Sequence, residues 1–163
     1  MVERQERTAP DAVLTRIGQV VMLHHAGDRE EARRRLLDLW AEIGEHGAPL
    51  HRCTLAHYLA DTQDDPSDEL AWDLRALSAA EGAAGLRGFY PSLHLNLAAD
   101  YVKLGRTEAA RSHLRRARGA ATALGDDGYG DGVRAAISRL ELRLGDDGDP
   151  GTDSWSPPRQ RPH

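Results

Sequence analysis

The sequence predicts an all-α protein, and three observations indicate that fold class. Leu and Ala supply most of the hydrophobic 40% of the 163 residues, and both are strong helix formers. β-Branched residues are scarce, so β-strands have little support. Apolar residues recur at a spacing of about 3.6 residues, and the pattern stops at turns rich in Gly and Asp. These features favour helices that pack through Leu and Ala side chains.

Seven helices follow from this periodicity and its stops. Gly27 and Gly105 each follow an apolar helical stretch and are expected to end it. Asp65 is suited to cap the free amides of the next helix, and Pro66 fits the first turn of that helix. The predicted helices span residues 11–26, 29–43, 49–61, 66–80, 91–104, 107–124 and 132–144. Because the connections are short, the helices should form three hairpins and a closing C-terminal helix.

The two ends of the chain differ in composition from the helical part. Residues 1–10 are polar, and residues 145–163 are rich in Gly, Asp and Pro. Neither end can bury enough apolar surface to offset its chain entropy. The sequence therefore predicts disordered tails at 1–10 and 145–163 around a helical domain at 11–144. Trp155 stands alone in the second tail and is interpreted as incidental.

Charge and cysteine content narrow the function classes. The formal net charge of −5 disfavours binding to nucleic acid or to an anionic membrane. No apolar run approaches the roughly 20 residues that cross a bilayer, and the N-terminus lacks the apolar core of a signal peptide. Cys53 is the only cysteine, so no intrachain disulfide can form. A cytoplasmic protein is expected, and Lys103 as the only lysine among 21 basic residues suggests a GC-rich, actinobacterial source.

The helical pair within residues 93–117 carries a distinct pattern. Its first helix has a Leu, a small residue and a Tyr that would face the partner helix, and a Gly ends it. Its second helix presents a small residue, a large apolar residue and another small residue. Small residues let the paired helices approach, while the large ones fill the layer between them. The residues at these positions are Leu97, Ala98, Tyr101, Gly105, Ala110, Leu114 and Ala117. This pattern resembles the tetratricopeptide repeat.

The two earlier hairpins resemble the same repeat more loosely. In the first hairpin Leu23 replaces the Tyr. In the second, the first-helix positions are matched, but the turn has Asp and Pro in place of the usual Gly. Gly27 and Gly105 lie 78 residues apart, or two repeats averaging 39, against about 34 in the standard unit. The extra length is similar to that of longer bacterial repeats, and armadillo- or HEAT-like repeats stay as alternatives. The matched residues of the second hairpin are Leu55, Ala56 and Leu59.

The resemblance implies a short α-solenoid of three tetratricopeptide-like hairpins plus a C-terminal capping helix, with a concave groove formed by the first helices. Such domains bind proteins or peptides and usually carry no chemistry of their own. It therefore implies a non-catalytic interaction module, an adaptor or regulatory scaffold, without a cofactor. Asn96 and Lys103 share one face of their helix and are similar to residues that grip a peptide carboxylate in some repeats. The predicted partner-binding residues of the groove are Cys53, His57, Asn96, Ala99 and Lys103.

Three other function classes stay open from the sequence alone. A sensor that binds a small ligand or a signalling peptide would need a closed apolar pocket. A metal-binding protein would use Cys53 and His57, spaced i, i+4, with His94 from the next hairpin. Self-association, including a homodimer, would need an exposed apolar face near Trp40 or Trp72.

Other motifs give little support to catalysis, metal binding or nucleic-acid binding. The chain has no GxSxG elbow, Walker loop or dinucleotide-binding glycine pattern, so an enzyme is not predicted. The Asp-rich loops do not follow the EF-hand order and are interpreted as turns and helix caps. Arg111, Arg115 and Arg118 form a stripe on one helix, which is typical of a solvated outer face.

Overall fold

A computed structural model describes the backbone of residues 2–148 and the side chains of residues 12–145. The predicted C-terminal tail from residue 149 onward, with Trp155, lies outside the described residues. The helices are α1 (Val2–His25), α2 (Arg29–Ile43), α3 (Pro49–Asp61), α4 (Pro66–Glu81), α5 (Tyr90–Lys103), α6 (Thr107–Ala121) and α7 (Gly128–Gly148). A short 3-10 helix, Ala84–Phe89, precedes α5. None of these helices is long and apolar enough to cross a membrane.

The chain divides into two compact units, Met1–Arg87 and Gly88–His163. Unit 1 contains hairpin 1 (α1 and α2) and hairpin 2 (α3 and α4), and α3 packs against both helices of hairpin 1. Unit 2 contains hairpin 3 (α5 and α6), and α7 packs against both of its helices. The predicted all-α class, with three helical hairpins and a further C-terminal helix, is confirmed.

Hairpins 1 and 3 turn through the same backbone motif. Gly27 and Gly105 have positive φ angles of 101° and 74°, which glycine adopts without the steric cost of a Cβ atom. The residue after each glycine donates its amide to the carbonyl four residues before that glycine, at 3.2 and 2.8 Å. This bond is characteristic of the Schellman motif, which satisfies the last free carbonyls of a helix. Both predicted glycine stops are therefore confirmed.

Hairpin 2 turns by a different route. The Asp65 side chain accepts a hydrogen bond from the Ser67 amide at 2.9 Å, and Pro66 occupies the first turn of α4. At the end of α3, the hydroxyl of the buried Thr62 donates to the Leu59 carbonyl at 2.8 Å. The predicted cap at Asp65 is thus present at the start of α4. At the end of α3, the Thr62 hydroxyl bonds a terminal carbonyl, as the turn amides do in the other two hairpins.

Three boundaries differ from the sequence predictions. Helix α1 begins at Val2, so its backbone runs through the stretch before residue 11, which is rich in the good helix formers Glu, Gln and Arg. Helix α7 begins at Gly128 because the Asp127 side chain caps it, accepting from the Gly130 amide at 2.8 Å. It also ends later than predicted, at Gly148.

Each unit has its own apolar core. The core of unit 1 joins α1, α2 and α3 through Ile17, Val20, Ala32, Leu36, Leu39, Leu55 and Leu59. In unit 2, the core joins α5, α6 and α7 through Ala98, Ala110, Leu114, Ala117, Ala121, Val133, Ile137, Leu140 and Leu144. Alanine dominates the α6 side of the second core, which lets α5 and α7 both approach that helix closely.

Candidate functional site

Three of the predicted partner-binding residues share helix α5. Asn96, Ala99 and Lys103 follow one another at steps of three and four residues, which puts them on one side of the helix. Lys103 is exposed, Asn96 is half-buried, and the half-buried Ala99 packs against the core of unit 2. We call these three residues the α5 surface. It carries an amide and an ammonium group whose α-carbons lie about 10 Å apart along the helix axis.

The other two predicted residues lie on α3 and differ in exposure. Cys53 is only 3% exposed, and burial raises the pKa of its thiol to about 11. The thiol therefore stays protonated at neutral pH, whereas the thiolate is the form that binds metals and acts as a nucleophile. His57 is half-buried, with its ring centroid 5.0 Å from that of Tyr58. A metal ion held by Cys53 and His57 stays a prediction from the sequence.

The residues that the repeat pattern assigns to helix packing lie inside the two units. Tyr101 is half-buried against the core of unit 2, and Gly105 forms the turn. The other eight are buried: Leu55, Ala56, Leu59, Leu97, Ala98, Ala110, Leu114 and Ala117. Small side chains in this set bring neighbouring helices together, as the pattern requires.

Two histidines meet inside hairpin 3, a contact that the sequence did not predict. The Nδ1 atom of His94 on α5 lies 3.0 Å from the Nδ1 atom of His113 on α6, within hydrogen-bond distance. The ring of Tyr101 stacks on His113 with centroids 5.5 Å apart, and Tyr90 meets His94 edge-on at 6.3 Å. His94 is buried, and His113 is half-buried. We call His94 and His113 the histidine pair.

Burial favours the neutral form of both histidines. It lowers the pKa of His94 to about 4, and the charges of His113 and Arg116 act in the same direction. Burial and Arg116 also lower the pKa of His113. Two imidazolium rings would bring two N–H donors together with no acceptor between them. At neutral pH, therefore, one Nδ1 donates its proton to the other.

The geometry of the histidine pair suits a proton better than a metal ion. The ring centroids of His94 and His113 are 5.2 Å apart, and their Nδ1 atoms are 3.0 Å apart. The difference between these two distances is about the sum of the two ring radii. The two nitrogens therefore face each other along one line. An ion midway between them would lie well inside the bonding distance of about 2.0–2.1 Å to each nitrogen. A hydrogen bond is what this arrangement accommodates.

A second cluster, in unit 1, joins two tryptophans to two arginines. Trp40 on α2 meets Trp72 on α4 edge-to-face, with centroids 5.1 Å apart. The guanidinium carbon of Arg52 lies 4.2 Å from the centre of the Trp40 ring, and that of Arg75 lies 4.4 Å from the Trp72 ring. Both tryptophans are half-buried. One guanidinium group lies against each ring, and self-association through the surface near Trp40 or Trp72 stays a prediction.

The arginine stripe on α6 is solvated only in part. Arg118 donates to the Glu141 carboxylate at 2.6 Å and to the Ser138 hydroxyl at 3.0 Å. Arg111 donates to the Leu144 carbonyl at 3.1 Å, whereas Arg115 is exposed. The interpretation as a solvated outer face therefore holds only in part for Arg111 and Arg118, because α7 packs alongside α6 and accepts hydrogen bonds from both side chains.

Two segments of the chain match the family model described as Tetratricopeptide repeat, at residues 13–37 and 91–116. The first segment lies in hairpin 1 and the second in hairpin 3, and each includes the Schellman turn. Comparisons with curated proteins and with solved structures gave no match. The two matched segments begin 78 residues apart, the same interval that separates the two turn glycines.

Proposed function

The chain is a tetratricopeptide-repeat protein, and on that premise we propose that it binds another protein or a peptide without catalysing a reaction. Tetratricopeptide repeats generally mediate protein–protein interaction and are typically non-catalytic. The main support is the repetition itself, since hairpins 1 and 3 match the same family model and share one turn. Repeats of this kind offer helix faces for binding and need no cofactor.

Within unit 2, the proposed contact is the α5 surface. Its exposed ammonium, from Lys103, and its amide, from Asn96, can both donate to an acidic group of a partner. Ala99 lies between them and is half-buried against the core of unit 2, so the proposed contact rests on the two polar groups. The assignment of Cys53 and His57 to partner binding stays a prediction from the sequence, as do a cytoplasmic location and a homodimer.

Affinity capture from a lysate of the source organism tests this proposal. Wild type is compared with Asn96→Ala/Lys103→Glu and with a control, Arg139→Glu, which makes the same charge reversal at an exposed position on α7. Circular dichroism establishes that all three proteins are folded, and mass spectrometry identifies the retained proteins. We expect a partner that wild type and the control retain and the double variant loses.

Two results would count against the proposal at different levels. Retention of the same partner by all three proteins would rule out the α5 surface but leave protein binding intact. If wild type retains no protein at all, the interaction function itself is wrong.

A further inference from the structure

A cleft in unit 1 carries two guanidinium groups that the α5 surface does not involve. It has a volume of about 280 Å³ and opens to solvent between the α2–α3 connection and α4. Arg52 on α3 and Arg75 on α4 both line it. We call it the arginine cleft, and its other walls include Glu45, Pro49, Ser78 and Ala79.

Both guanidinium groups are positioned by the tryptophans behind them. Arg52 lies over Trp40 and donates to the Gly44 carbonyl at 2.5 Å. Arg75 lies over Trp72, and the two rings meet edge-to-face. A guanidinium group that stacks through its flat face keeps the N–H donors at its edge available. The ring contacts therefore help to position both groups, and Arg52 commits one of its N–H donors to the Gly44 carbonyl.

Arg75 has no acidic partner among the described residues, unlike the arginines that form surface ion pairs. Arg16, Arg118 and Arg134 each form an ion pair with a carboxylate. Within the described part of the chain, Arg75 makes its ring contact with Trp72 but no hydrogen bond or ion pair. An exposed, oriented guanidinium with unused donors is suited to bind an oxyanion.

The net charge of the residues that line the arginine cleft favours one kind of oxyanion over another. Two guanidinium groups and the Glu45 carboxylate leave one net positive charge, which matches a single carboxylate. A long polyanion such as nucleic acid would bring more negative charge against the overall charge of −5 than a short acidic peptide segment does. Pro49 and Ala79 add apolar surface that the aliphatic stem of a Glu side chain can contact.

We propose that the arginine cleft binds a carboxylate side chain of an acidic peptide segment, with Arg52 and Arg75 as its donors. Ser78 supplies a hydroxyl at the same wall. The site lies wholly within unit 1 and does not depend on the α5 surface. The partner that it fits is a protein segment with exposed Glu or Asp residues.

Fluorescence anisotropy with a labelled pentaglutamate peptide, blocked at both ends, tests the cleft on the full-length protein at low salt. The variants are Arg75→Gln and Arg52→Gln, and the matched control is Arg139→Gln, an exposed arginine of α7. We expect Arg75→Gln to weaken binding by about tenfold, since it removes a charge-assisted hydrogen bond. The control should stay within about twofold of wild type, and the corresponding pentaglutamine peptide should not bind.

Several outcomes would overturn the assignment. They are equal binding by wild type and Arg75→Gln, equal binding of the glutamine peptide, and no binding by wild type up to about 1 mM peptide. Stronger, Arg75-dependent binding of an oligothymidylate would assign the cleft to phosphate instead. Arg75→Gln keeps the test valid if Arg52→Gln unfolds, because Arg75 bonds no backbone atom of the described chain. The capture experiment changes α5 and this one changes α3 and α4, so each can fail without the other.

Discussion

Hairpins 1 and 3 have the same turn but carry different chemistry at two equivalent positions. The interval of 78 residues that relates their turn glycines also relates Arg16 to His94 and Arg35 to His113. In hairpin 3 the two histidines bond to each other across the helices at 3.0 Å. The two arginines of hairpin 1 do not bond to each other but line a cleft of about 200 Å³.

The acidic residues nearby explain this difference. Arg16 donates to Glu42 at 2.8 Å, and Arg35 donates to Glu31 at 2.8 Å. Hairpin 3 has alanine at both positions equivalent to these glutamates. No carboxylate at these two positions can therefore bind His94 or His113 at the surface of the hairpin. A neutral imidazole ring can also be buried at lower cost than a guanidinium group. The two hairpins thus share the arrangement of their core residues and their turn. They differ in the side chains at the edge of the interface between their two helices.

The histidine pair should make unit 2 sensitive to acid. The pKa values of both histidines are lowered in the folded state, that of His94 to about 4, whereas an unfolded histidine titrates at about 6.5. Below about pH 6.5, the two histidines bind protons in the unfolded chain but stay neutral in the folded chain. The free energy of unfolding therefore falls as the pH falls towards 4. Above that window the pair adds no pH dependence.

Urea denaturation measures this effect as a difference between two proteins. The free energy of unfolding of wild type, minus that of His94→Gln/His113→Gln, should fall by about 1–3 kcal/mol between pH 7 and pH 4.5. Subtraction removes the titration that the two proteins share. In hairpin 1, Arg16→Gln/Arg35→Gln should show a smaller fall, confined to the lower end of this range, because these arginines lower the pKa values of the Glu42 and Glu31 carboxyls. A constant difference for the histidine variant would show that the pair is not buried in its neutral form.

The shared turn predicts equal effects in the two hairpins. Gly27→Ala and Gly105→Ala should each lower the free energy of unfolding by about 1–2 kcal/mol, since a Cβ atom is strained at positive φ. Neither Cβ would meet another atom within 4 Å, so the cost comes from the backbone alone. The matched controls, Gly18→Ala in α1 and Gly119→Ala in α6, lie in helices with open space and should stabilise by about 0.5–1 kcal/mol. A neutral result at either turn would break the equivalence of the two hairpins.

The sequence predicted the features that depend on neighbours along the chain. Helix positions follow from apolar spacing, and the turns at Gly27, Gly105 and Asp65 follow from residues with a local preference for them. The start of α7 was predicted too late, although Asp127 carries a usable signal as a capping residue just before the helix. The 3-10 helix in the Gly-rich connector had no such signal.

The contacts between side chains of different helices were beyond this kind of inference. His94 directly follows the buried Leu93 on α5, and His113 directly precedes the buried Leu114 on α6. Each histidine therefore lies next to the interface of the two helices, where the two rings meet. The position next to a leucine can be read from the sequence, but the direction in which each ring points depends on how the two helices of the hairpin pack. The arrangement of Arg52 and Arg75 over their tryptophans likewise needs three helices in place.

The contrast between the two hairpins extends to how strongly each pair is coupled. In a double-mutant cycle, the partly buried hydrogen bond between the two neutral rings of His94 and His113 should give a coupling of about 1 kcal/mol that salt changes little. The Arg16–Glu42 pair is exposed, with 49% and 57% of the two side chains open to solvent, so its coupling should be smaller. Raising the salt from about 0.1 M to about 1 M shortens the screening length and should abolish that coupling. The contrary result would be a coupling between Arg16 and Glu42 that exceeds the histidine coupling and does not change with salt. Ion pairs rather than buried contacts would then hold hairpin 1 together, and the two repeats would not share one packing plan.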